Sequence, residues 1–138
     1  MGDKVLVETI KGIVAAARSG EMDAAFAGYR ALFSGPAFTG YDEQDRRQAL
    51  RIMVHAKGVP DPPSPAMIEA HRAALGPLTA LASASGDPAD QEMLGMCLVV
   101  VGEPERAGEV FRAALAVERE RNLQSDLCGA LMKRVSML

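Results

Sequence analysis

Tryptophan is absent from this chain, and four phenylalanines and two tyrosines are its only aromatic residues, 4% of the sequence. That poverty removes the stacking platforms on which single-strand binders lay successive bases. It also argues against a β-rich core, which leans on aromatic and β-branched side chains. A basic excess is missing too: 15 Lys and Arg stand against 18 Asp and Glu, a net charge of −3, so there is no electrostatic footprint for nucleic acid. The two cysteines, Cys97 and Cys128, form neither a disulfide framework nor a metal or redox spacing, and a reduced, cytoplasmic chain is the expectation. No apolar run approaches the roughly 18 residues of a membrane span. The opening MGDKVLVETIKG has early acids and no long apolar stretch, unlike a signal peptide.

What is present points to one domain over residues 1–138, long enough for a single core. A composition 49% hydrophobic and 24% charged is ordinary for a folded protein and too apolar for disorder. Alanine, the best helix former, is abundant, and the apolar residues recur mostly at helical spacing with no convincing alternating strand. Val5, Ile10, Ile13, Val14 and Ala17 mark a first helix ended by Ser19-Gly20. Met22, Ala25, Phe26, Tyr29, Leu32 and Phe33 mark a second, ended by Gly35-Pro36. Asp42 caps a third helix that carries Leu50, Met53 and Val54 and stops at Gly58.

Residues 58–65, GVPDPPSP, read as a stiff, extended proline-rich insertion. Ser64 as cap and Pro65 at the first helical position open a fourth helix to about Ser85. Pro77 is expected to kink or split it, because proline removes a backbone donor. Asp87-Pro88 repeats the cap signature for a fifth helix to Val101. Pro104 opens a sixth with Val110, Phe111, Ala114, Leu115 and Val117 on its apolar side, and a last helix carries Leu123, Leu127, Leu131 and Val135 at four-residue steps.

The stretch LGMCLVVVGEPERAG, residues 94–108, admits a rival reading as a strand feeding a phosphate-binding turn at Gly102. Pro88 to Val101 is one unbroken pattern of about 14 residues, against five or six for a typical strand. A P-loop needs GxxxxGK followed by Ser or Thr, and a dinucleotide turn needs GxGxxG. Here Gly102 and Gly108 stand alone, and Pro104 deletes an amide that the anion would use. The stretch is therefore a helix, a turn and a second helix.

This hairpin resembles a tetratricopeptide repeat. Leu94-Gly95, Leu98, Gly102, Ala107, Phe111 and Ala114 fall at the family's spacings, while its leading Trp is Gln91, its Tyr is Leu98 and its closing Pro is Arg119. The first pair has Gly20, Ala25 and Tyr29 in register but Gly12-Ile13 in place of Leu-Gly, and the middle pair keeps Leu50, Val54 and Gly58. The turn glycines are 38 and 44 residues apart where the family has 34. The best-matching repeat is 88–121. The resemblance implies an all-α superhelix of about three antiparallel helix pairs with a C-terminal capping helix.

It further implies a concave groove, lined by the first helix of each pair, that holds a peptide or a partner helix. Groove-facing candidates are Ile10, Val14 and Arg18 on the first helix, Gln48, Ile52 and His55 on the third, and Glu92, Met96, Val99 and Val100 on the fifth. This mainly apolar set suits an amphipathic or hydrophobic segment and lacks the Lys/Asn/Arg group with which some members clamp a C-terminal carboxylate. The same small architecture occurs in bacterial secretion chaperones, which the groove chemistry resembles. A non-enzymatic adaptor or chaperone-like module is the expected function.

The bland readings dominate elsewhere. His55 and His71 stand without any ligand or catalytic set on one helix, so neither a metal, a cofactor nor catalysis is expected. Cys97 and Cys128 read as buried small hydrophobes. Asp42, Glu43 and Asp45 with Arg46 and Arg47 read as helix-start acids on a solvated face, and ERERN, residues 118–122, as a charged helix end. The last helix offers an alternative function. Its Leu127, Leu131 and Val135 cap the stack, whereas Met132, Met137 and Leu138 could meet a second copy in a homodimer.

Overall fold

Five short polar side chains open helices by accepting an amide hydrogen. Asp3 accepts from Leu6 (2.9 Å), Asp42 from Asp45 (2.8 Å), Ser64 from Met67 (3.2 Å), Asp87 from Ala89 (2.9 Å) and Ser125 from Cys128 (2.9 Å). In the computed structural model, which describes residues 2–138, they start α1 (Lys4–Arg18), α3 (Glu43–Val54), α4 (Pro65–Ser85), α5 (Pro88–Val100) and α7 (Asp126–Ser136). Two helices, α2 (Met22–Ser34) and α6 (Pro104–Asn122), begin without a side-chain cap. The described residues are all-helical, with a single turn of 3-10 helix at Phe38–Gly40 and no strand.

The two uncapped helices share a cause. Gly20 and Gly102 adopt positive φ, 83° and 85°. Each closes the preceding helix with the same pair of bonds: Gly20 and Glu21 donate to Ala17 and Ala16, as Gly102 and Glu103 donate to Val99 and Leu98. Glu21 and Glu103 then accept the first helical bond, from Ala25 and Ala107. The carbonyls at the end of one helix are thus satisfied by the turn that starts the next, and a link this short makes each pair antiparallel.

Packing follows a defined order. α1 lies against α2, α2 against α4, α4 against α5, α5 against α6, and α6 against α7, while α3 sits on both α4 and α5. The main core runs from Leu6, Ile10 and Ile13 through Phe26, Tyr29 and Leu50 to Leu78 and Met93. A second core joins Leu98, Phe111, Leu115 and Leu131 between α5, α6 and α7. Phe33, Phe38 and Tyr41 form an edge-on aromatic run, with centroids 5.2 and 6.1 Å apart, that seals the α2–α3 connection.

The structure corrects several sequence expectations. Leu6, fully buried, holds the inner face of α1 where Val5 was expected, and Val5 is 69% exposed. α3 ends at Val54, well before Gly58. α4 runs unsplit through Pro77, because Gly76 has no Cβ to crowd the proline ring and both α2 and α5 hold the helix. Leu123 ends α6 and is exposed, since Ser125 caps α7 beyond it. The acids and arginines around position 45 are a solvated helix start only in part: Asp42 and Glu43 are exposed, and the others turn inward. Asp45 is buried, accepting the amides of Gly2 (3.1 Å) and Asp3 (3.3 Å), and Arg47 reaches inward to Asp90.

Candidate binding clefts

Two apolar clefts open beside the proline-rich segment and share Ala56 as a wall. The first, of about 430 Å³, is lined by Val14, Arg18, Met22, Phe26, Tyr29 and Ile52, with Lys57 at one side. The second, of about 400 Å³, is lined by Val54, Val59, Met67, Met96, Val99 and Val100, together with His71, Phe111, Arg134, Met137 and Leu138. α1 and α3 come together in the first cleft. α5 reaches only the second, where α4 and the end of the chain join it.

The expected groove residues therefore separate. Val14, Arg18 and Ile52 meet in one cleft, and Met96 and Val99 in the other. Gln48 and His55 are exposed and line neither. Glu92 is buried under α7, where its carboxylate accepts from Arg134 Nε at 2.8 Å. This pair ties the last helix across to α5, and the Arg134 guanidinium lies 5.9 Å from the Phe111 ring centre. On α7, Leu131 is fully buried and Leu127 and Val135 pack on α6, whereas Met132 is 47% exposed.

His55 feels that ion pair. Partial shielding of its ring from water lowers its pKa, Glu92 pulls it up, and Arg134 and Arg51 push it down, for a net value below the ordinary 6.5.

His71, for which the sequence predicts no catalytic or metal role, is the most buried polar group lining the second cleft. It is 3% exposed, and its Nδ1 lies 2.8 Å from the Met67 carbonyl oxygen. Burial pushes its pKa below 6.5 against the raising effect of that bond, so the ring is neutral near pH 7. A carbonyl can only accept, so Nδ1 carries the proton and Nε2 offers a lone pair. No sequence signal marks this role, because a histidine between Ala70 and Arg72 reads only as one more helical residue.

One further hollow gathers charged groups that are already engaged with one another. This polar hollow holds Glu43, Gln44, Arg47, Asp87 and Arg121. There Arg47 forks onto both Asp90 oxygens (2.8 and 2.9 Å) and reaches Glu43 (3.2 Å), and Ser85 Oγ donates to Asp90 at 2.7 Å. Burial raises the Asp90 carboxyl, but the bonds from Arg47 and Ser85 outweigh it and hold its pKa below the usual value. Cys97 is fully buried and its thiol is pushed up to about 12 by burial, and Cys128 is also fully buried. Among the described residues no group of three or more His, Cys, Asp or Glu could hold a metal ion, and no helix is long and apolar enough to cross a membrane. Comparison with protein-family models, curated proteins and solved structures gives no match for the chain.

Proposed function

We propose that the chain is a non-enzymatic, tetratricopeptide-like binding module, cytoplasmic, that holds a hydrophobic or amphipathic protein segment in its apolar clefts. The observation that carries the reading is the second cleft, where Met96 and Val99 of α5 face Val54, Val59 and Met67 across about 400 Å³. Val99 is 44% exposed there, an unpaid apolar surface of the kind that partner segments cover. The superhelical part of the reading is supported by the turn at Gly20 recurring at Gly102, bond for bond, with Ala25 and Tyr29 answered by Ala107 and Phe111. The stack is irregular in its middle pair, where α4 leans mainly on α2 and α5.

Affinity capture with wild type and a Met96→Glu/Val99→Glu variant, followed by titration of the captured segment, tests this function. Capture by wild type and its loss in the folded variant are expected, and undiminished capture of every partner by the variant overturns the cleft assignment.

A second reading, self-association through α7, is favoured by Met132, Met137 and Leu138, which are 47%, 74% and 51% exposed. Light scattering across concentrations decides it: a strictly monomeric chain excludes the homodimer.

A further inference from the structure

The second cleft is apolar apart from the Arg134 guanidinium, which Glu92 holds, and the imidazole of His71. His71 Nδ1 is engaged by Met67, and Nε2 has no hydrogen-bond partner among the described residues. Among the described residues only Arg46 Nε and Gln91 Oε1 are side-chain polar atoms both sealed from solvent and unpartnered, so Nε2 of this 3%-exposed ring is not sealed, and His71 lines the cleft. A ligand that covers this acceptor without bringing a donor leaves it bare, which is costly, so the site favours a group that brings one.

We propose that this cleft is the anchor pocket for one aromatic side chain carrying a neutral donor, a tryptophan or a tyrosine, of the bound segment. The inference rests on the reading of the cleft as the seat of a protein segment. The walls of Val54, Met67, Met96, Val100 and Phe111 want an apolar body, and the lone acceptor wants a single N–H or O–H. Tryptophan and tyrosine are the side chains that combine a large apolar ring with one donor tip. The thioethers of Met67 and Met96 add favourable contacts to a ring and adapt to its shape. A cationic donor fits poorly, because no Asp or Glu side chain lines the cleft to offset its desolvation and the Arg134 cation already lines it. A volume of about 400 Å³ lies in the range of small-ligand pockets, roughly 300–1,000 Å³.

The chain has no tryptophan of its own, so indole emission reports binding without background. Indole and benzofuran, the same shape with oxygen in place of N–H, are titrated into the intact wild-type protein. Fluorescence reads indole, and NMR reads the methionine methyls and the His71 ring nitrogens for both. Indole should shift the Met67 and Met96 methyls, move the Nε2 resonance, and bind about tenfold tighter than benzofuran. In His71→Leu the two rings should bind alike, and the wild-type comparison stands even where that variant does not fold.

Equal affinities in wild type, an unmoved Nε2 resonance, or no binding of either ring overturns the anchor. Each of these leaves the wider cleft to be judged by the Met96→Glu/Val99→Glu capture. Loss of that capture effect with the indole preference intact removes the segment reading alone.

Discussion

Gly95 shows how much one missing Cβ does here. A methyl at that position would sit 2.4 Å from Phe111 Cε1 and 2.7 Å from Cδ1, inside any tolerable contact, and Phe111 is only 1% exposed and cannot swing away. Gly95→Ala should therefore destabilise the fold by about 1–3 kcal/mol, read by urea unfolding. Gly12, also inside a helix, has nothing within 4 Å, and Gly12→Ala should stabilise by about 0.5–1 kcal/mol. Equal effects at the two positions would contradict the packing. In the first pair the roles are exchanged: Ile13 Cγ1 lies 2.7 Å from where a Cβ on Gly28 would be. That exchange is why Gly12-Ile13 breaks the family's Leu-Gly pattern while the helices still approach closely.

Histidine gives the residue scale its pH dependence. His71 and His55 both have folded pKa values below 6.5, so below that value the unfolded chain binds protons that the folded chain resists. Stability should be whole above about pH 6.5 and should fall as pH drops through the depressed folded values. Thermal melting between about pH 7.5 and 5 checks this, and a slope unchanged in His71→Leu would place the titration elsewhere.

Elements were legible where their signals are local. Ser64-Pro65 and Asp87-Pro88 announce α4 and α5 because a cap needs only its next few residues. Leu123 was misplaced on the last helix because four-residue spacing continues through a break that only Ser125 reveals. The buried carboxylates were illegible for another reason: Asp45 and Asp90 find partners more than 40 residues away, at Gly2 and Arg47. Those long-range bonds fasten α3, which has the weakest packing of the interior helices. Asp90 is fully buried and the Arg47 side chain is only 11% exposed, so Arg47→Ala strands a charge and should cost about 3–5 kcal/mol. Arg106, 62% exposed beside Glu103, is the control, and Arg106→Ala should cost less than about 1 kcal/mol in the same chemical denaturation.

At the scale of the whole molecule, the helical class and the 88–121 hairpin could be read from spacing, but the division of the groove could not. The two clefts part at Ala56, just past the end of α3, and α7 covers Glu92 through Arg134, a position that the expected groove left open. Periodicity reports which face of a helix is apolar, and it carries no information on which distant helix covers that face.

α4 has a further consequence. It is the one helix packed against α2, α3 and α5 together, and Ala70, Ala74, Leu78 and Leu81 along its inner side are at most 1% exposed. α7 leans chiefly on α6, and only Cys128 and Leu131 along it are buried. Local opening should therefore be graded along the stack, and native-state hydrogen exchange should register it. The amides of α4 between Ala74 and Leu81 should exchange slowest, and those of α7 fastest among the helices. The second cleft should thus join the steadiest helix, α4, to the one that opens most often, α7, which reaches it through Arg134.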